Sequence, residues 1–347
     1  MTKSHTLLGF AILIGASILI CLLGATLNHK RYSGDVIQEL MYFPSGRMLK
    51  VASLGYDTLI ADLLWLRGIQ YYGEHRRSDQ DYPLAEHVFS TITDLDPYFI
   101  GAYRFGAFVL AQDVGQPAAG IELLRKGMRN NPDRWQLPFD LGFMYFIDME
   151  DNTKAGHFFR FASRFADAPD ITKRFSAFAY RKAGRNSIAK ALWEEIYRSS
   201  PNEVVREGAE YALKNIHLDE TVDALSTLVD RFRSDNGRSP RGLNELVTSG
   251  LVKGIPHDPF GGDYFLDPGR QKVMSTTKVT DHAERTKTFL EKLTGRYLDK
   301  KGHYPASVVD LAEEGLVPEV PEVTGARMVY DSGTGTIEYV FAWEEAQ

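Results

Sequence analysis

Hydrophobic positions divide the chain into three regimes. Leu7 to Leu27, "LLGFAILIGASILICLLGATL", is a run of 21 residues without a charge, the length that crosses about 30 Å of hydrocarbon as a helix. From "YDTLIADLLWLRGIQYYG" to about Asn202 the apolar residues recur at helical spacing, in pairs of helices repeating with a period of about 34 residues. The first helix of each pair carries a small residue with a large one three later: Gly68/Tyr71, Ala107/Leu110, Gly142/Tyr145, Ala177/Tyr180. The second carries Ala with a large residue four later: Ala85/Phe89, Ala119/Leu123, Ala155/Phe159, Ala189/Trp193. Two helices approach closely only where a small residue faces a bulky one. Pro97, Pro132 and Pro201 close three of the pairs, because proline lacks an N–H and clashes with the preceding turn; Pro169 comes late in the third. The first pair holds five extra residues, "RRSDQ".

After a further helix, "EVVREGAEYALKNI", the pattern changes. Residues 222–275 and 285–340 read as two copies of one module. Each has a helix ending at a glycine (Gly237, Gly302), then a proline, a short helix, a Pro turn and short strands. Gly237/Gly302, Pro240/Pro305, Leu246/Leu311, Gly250/Gly315 and Pro256/Pro321 are each 65 residues apart, while Asp267/Asp331 and Gly269/Gly333 are 64 apart. The expected architecture is mostly α: a tail (1–6), a transmembrane anchor (7–27), a lead-in (28–57), a solenoid with a capping helix (58–217) and two small α+β modules (218–280 and 281–347).

The pattern over about residues 60–203, with "LGFMYF" (Leu141 to Phe146) as its best local match, resembles the tetratricopeptide repeat (TPR) family. The resemblance implies a helical solenoid that binds proteins in the groove lined by its first helices. In that register the groove positions include Trp65, Ile69, Tyr72, Arg104, Phe108, Phe139, Phe143, Phe146, Arg174, Phe178 and Arg181, an aromatic and arginine surface of the kind that forms interaction hot spots. The competing reading makes these aromatics core. The Lys and Asn set of the family's carboxylate clamp is absent. "LNELVTSGLVKGIPHDPFGGDYFLD" in the first tail module resembles the globular part of type II secretion major pseudopilins. There, however, the module directly follows the hydrophobic helix, which here lies about 200 residues upstream.

Charge adds little. The formal net charge is −6, from 40 Lys and Arg against 46 Asp and Glu, so nothing calls for nucleic acid. Basic residues dominate Ile121 to Lys190, and Glu194 to Asp230 is mostly acidic. Cys21 is the only cysteine and lies in the apolar run, which excludes an intramolecular disulfide. A cleaved signal peptide competes with the anchor, but its apolar core is shorter, and no small-x-small site follows Leu27. Lys3 precedes the run, while Lys30, Arg31, Arg47 and Lys50 follow it. That asymmetry favours a cytoplasmic bulk, whereas the six-residue tail favours an extracytoplasmic one, the orientation expected here for a protein of the inner membrane. "MYFPSGRMLKVASLGY" is read as lying on the membrane surface or as packing into the first repeat. Asp62, within "TLIADLLWL", needs a partner if buried and otherwise faces the groove.

Asp258, Asp263 and Asp267 invite a calcium reading, but no EF-hand spacing surrounds them. Asp267 and Asp331 both precede turn residues, where Asp belongs. No phosphate loop, His-Glu-x-x-His, paired cysteine ligands or nucleophile elbow is present, and His157 reads as an ordinary helix residue. The sequence therefore predicts a membrane-anchored scaffold that binds protein partners in its groove and holds an envelope complex together. No cofactor, metal, catalytic residue or small-molecule substrate is expected. The alternatives are an accessory subunit of a pilus-like or secretion machine and an enzyme with an unrecognised site.

Overall fold

A computed structural model describes residues 46–344. The expected anchor and most of the lead-in lie outside these residues. Among the described residues no helix is long and apolar enough to cross a membrane. The chain divides into two compact units after Leu192.

The first unit is a continuous stack of helix pairs. A short helix α1 (Gly46–Ala52) precedes α2 (Asp57–Arg77), α3 (Ala85–Leu95), α4 (Ile100–Phe108), α5 (Pro117–Asn130), α6 (Gln136–Phe143), α7 (Asn152–Ala162) and α8 (Ile171–Lys182). α9 (Asn186–Ser199) carries the division between the units. From α2 through α7 each helix packs on the next, and one apolar core runs from Ala61 to Ala179. Glycine sets the closest approaches. A Cβ on Gly142 would lie 2.6 Å from the Phe159 ring, and one on Gly127 would lie 2.8 Å from the Tyr103 ring. The small residues that sequence spacing placed in the first helix of each pair, Gly68, Ala107, Gly142 and Ala177, are all buried, as are Ala85, Ala155 and Ala189 in the second helices, while Ala119 is half-buried. α3, α5 and α9 end two residues before Pro97, Pro132 and Pro201, whereas α7 ends well before Pro169. Of the extra residues of the first pair, Arg76 and Arg77 extend α2, and Ser78, Asp79 and Gln80 open the α2–α3 connection. The unit is thus a TPR-like solenoid.

α4 and α6 each continue into one π-helical turn, Val109–Asp113 and Met144–Asp148. Such turns place one extra residue in the helix and re-aim the side chains that follow.

In the second unit, α10 (Glu203–Asn236) is a single helix of 34 residues. The capping helix and the first helix of the tail, expected separately, are one element, because no glycine or proline interrupts helical spacing between Ile216 and Thr221. α10 packs with α11 (Asn244–Thr248) and an antiparallel hairpin, β1 (Tyr264–Leu266) and β2 (Val273–Ser275), around Leu225, Phe232 and Leu246. β2 leads directly into α12 (Thr276–Lys301), which packs with α13 (Asp310–Glu313) and the hairpin β3 (Ala326–Asp331) and β4 (Thr336–Phe341) around Leu290, Leu311 and Ile337.

The two stretches match at several positions, although the first hairpin pairs over three residues and the second over six. Gly237 and Gly302 end their helices at φ +68° and +81°, conformations that favour glycine. Leu246 and Leu311 are both fully buried. The Glu245 carboxylate accepts the Arg241 backbone N–H at 2.8 Å, and Asp310, 65 residues on, accepts that of Ala306 at 2.8 Å.

Candidate functional site

Side chains on α2, α4, α6 and α8 are joined across successive repeats. Arg104 Nε on α4 donates to Asp140 Oδ2 on α6 at 2.5 Å, and its Nη2 reaches Oδ1 at 3.2 Å. Gln112 donates to Asp148 one repeat further along. Arg76 donates to the Tyr72 hydroxyl at 2.8 Å, and that hydroxyl donates to Asp113 at 3.1 Å. Arg104/Asp140 and Gln112/Asp148 are each separated by 36 residues, one structural repeat. The π-helical turns supply Gln112, Asp113 and Asp148 to this ladder.

Two of the ladder's carboxylates, Asp140 and Asp148, are not ordinary surface groups. Burial pushes the Asp140 carboxyl above its usual range, and the Arg104 guanidinium only partly draws it back. The same hydrogen bond holds Arg104 firmly charged. Burial also raises Asp148.

The expected groove residues divide by exposure. Phe108 on α4 and Phe178 on α8 stand open at 48% and 50%, and Ile69 and Arg104 are also exposed. Phe146 is half-buried, 5.9 Å from the Phe178 ring, with Lys182 Nζ 4.7 Å over its face. Trp65 is half-buried among Phe89, Phe99 and Phe105. Phe139 and Phe143 are half-buried in a cluster with Phe159 and Phe175, at ring separations of 4.9–5.8 Å. Tyr72 is buried, its ring stacked 5.5 Å from Tyr82. Arg174 is half-buried with Nε shielded and without a hydrogen-bond partner, and Arg181 is half-buried and engaged within the chain. The open part of the surface is therefore Ile69, Arg104, Phe108 and Phe178 with Phe146 between repeats, backed by a floor of packed rings.

Sequence spacing missed Asp113, Asp140, Asp148 and Gln112. The available signal was complementary polar residues one repeat apart. The basic middle is partly spent inside the solenoid: Arg125 bonds Glu122 and the Tyr145 hydroxyl, and Lys126 bonds Asp94 and Thr93. Asp62 is exposed and needs no buried partner.

In the second unit, Asp258 accepts from the Phe260 backbone N–H and, at 2.6 Å, from Ser275 Oγ, tying its turn to β2. Asp267 and Asp331 accept from Gly269 and Gly333 two residues on. These are turn-forming bonds. Among the described residues no group of three or more His, Cys, Asp or Glu is arranged to hold a metal.

No family model matches the chain, and no curated protein matches it significantly. Solved structures similar to it include that of MamA, with 17% identity over 44% of this chain and 96% of that one at a TM-score of 0.31. Another is TTC0263, a thermophilic TPR protein of Thermus thermophilus, with 16% identity over 46% of this chain and 97% of that one at a TM-score of 0.29. The solenoid rests on its own helix pairs and their spacing.

Proposed function

We propose that this chain is a scaffold that binds a protein segment along the first-helix surface of its solenoid. The observation that carries the reading is the pair Phe108 and Phe178, exposed large rings on a surface where Phe139, Phe143 and Phe175 are packed tightly. An exposed aromatic costs solvation free energy that a bound apolar side chain recovers. Arg104 is paired with Asp140, but Lys182 places positive charge over the Phe146 ring, which adjoins Phe178, and this favours a segment that adds an acidic residue to its apolar ones. The uncharged run Leu7–Leu27 holds the protein in the inner membrane, with its bulk extracytoplasmic, so that partner capture assembles an envelope complex there.

The test is capture of partners by the full-length protein from gently solubilised membranes, comparing the native chain with a Phe108→Asp, Phe178→Asp variant. Loss of a reproducible partner at unchanged thermal unfolding is expected. Unchanged capture by a folded variant would remove the reading.

A further inference from the structure

α2 has two apolar faces. One, with Ala61, Leu64, Gly68 and Tyr71, is buried in the solenoid core. The other carries Leu59, Leu63 and Leu66, which are 56%, 55% and 59% exposed, with Tyr56 continuing the stripe. Exposed large apolar side chains on adjacent positions of one helix mark a contact surface. Met48, Val51 and Leu54, just upstream, are exposed as well.

The spacing says what covers this stripe. Tyr56, Leu59, Leu63, Leu66 and Gln70 are separated by 3, 4, 3 and 4 residues, the a and d positions of two heptads. The buried residues Ala61, Leu64, Gly68 and Tyr71 fall at b and f, on the opposite side. The flanks are charged in a complementary way. Asp62 occupies a g position and Arg67 the e position of the next heptad, five residues on. In a parallel two-stranded coiled coil, g of one chain faces that e of its partner, so a symmetric pair sets Asp62 against Arg67 twice. Gln70 falls at an a position, where a polar residue fixes register. A lipid surface would favour Lys or Arg on both flanks of the stripe; Arg67 meets that on one flank, whereas Asp62 opposes it on the other.

From these positions we infer that a second copy of this chain docks on α2, forming a parallel homodimer through the Tyr56–Gln70 seam. Two heptads fall short of the roughly 1,200 Å² of a free-standing interface. The pairing therefore draws on the high local concentration that a shared membrane supplies, and in this respect it rests on the proposed anchor. Parallel helices also place both N-termini on the same side.

The experiment uses the full-length chain in native membranes, with Cys21→Ser as background. Single variants Leu59→Cys, Leu66→Cys and Thr58→Cys are oxidised with diamide, and membrane and soluble fractions are separated first. In a parallel pair each d position meets itself within disulfide reach. A chain-pair disulfide from Leu59→Cys and from Leu66→Cys, and none from Thr58→Cys, supports the dimer. Loss of that product on Asp62→Arg, and its return on Asp62→Arg with Arg67→Asp, supports the register. A disulfide only between mixed Leu59→Cys and Leu66→Cys chains indicates an antiparallel pair and overturns the proposal. Recovered protein with no disulfide at either position also overturns it, and protection of those thiols by lipid or by another protein then identifies the true cover. Disulfides formed by protein found in the soluble fraction support the seam while removing the anchor.

Discussion

Gly142→Ala isolates the close approach on which the solenoid depends. Replacing a glycine inside a helix by alanine ordinarily stabilises by about 1 kcal/mol. Here the new Cβ would lie 2.6 Å from one Phe159 ring atom and 2.7 Å from another, far inside the 3.5–4.0 Å of carbon contact. Phe159 has no room to retreat. It is 0% exposed, with Phe139, Phe143 and Phe175 at 5.3, 5.1 and 5.4 Å. Overpacking of this kind costs about 1–3 kcal/mol. With so rigid a neighbour the upper part of that range applies, leaving a net loss of about 1–2 kcal/mol. The matched control is Gly208→Ala, in the exposed interior of α10 with nothing within 4 Å of the new methyl group; it should gain up to about 1 kcal/mol. Urea unfolding followed by circular dichroism compares the two. Because the chain has two units, the midpoint shift is the readout rather than a fitted free energy. Opposite shifts are expected. A Gly142→Ala protein stabilised like Gly208→Ala would refute the close packing of α6 on α7.

Phe159→Ala should destabilise by about 3–5 kcal/mol, whereas Phe178→Ala should leave the unfolding midpoint nearly unchanged; equal effects would contradict the division between floor and open surface. Gly237→Ala and Gly302→Ala should each lower stability by about 1 kcal/mol, since both force alanine to positive φ, and a neutral result at either in thermal scans would argue against that helix end. The Arg238 guanidinium and the Arg241 backbone N–H hold the Glu245 carboxyl down to about 2. Its folded value lies below its unfolded one, so its stabilisation is present above about pH 4.5 and is lost as pH falls toward 2. Melting temperatures measured from pH 5 to 2 should fall less steeply for Glu245→Gln than for the native chain, and parallel curves would contradict this.

Much of the architecture was legible because it is written in residues with one physical use. Pro97, Pro132 and Pro201 stop helices, Gly237 and Gly302 occupy left-handed backbone, and Leu246 and Leu311 anchor repeated folds. What stayed hidden required knowing what faces a helix. Periodicity put Tyr72, Phe139 and Phe143 on a common surface with Phe108 and Phe178. It did not reveal that Tyr82, Phe159 and Phe175 close over the first three. α2, apolar on both sides, reads simply as a buried helix, which conceals the exposed Leu59, Leu63 and Leu66 stripe. The π-helical turns carry no residue signature, so Asp113 and Asp148 went unread. The continuity of α10 stayed hidden because a change of module suggests a change of helix.

The most direct test of the central claim is site-specific photo-crosslinking in intact membranes, with a photoreactive phenylalanine analogue at Phe108, at Phe178 and at the exposed His157 on the second-helix side. The account predicts one protein partner joined from both Phe108 and Phe178 and not from His157. The same adducts from all three positions, or none from the two phenylalanine sites while the chain is folded and membrane-bound, would contradict it.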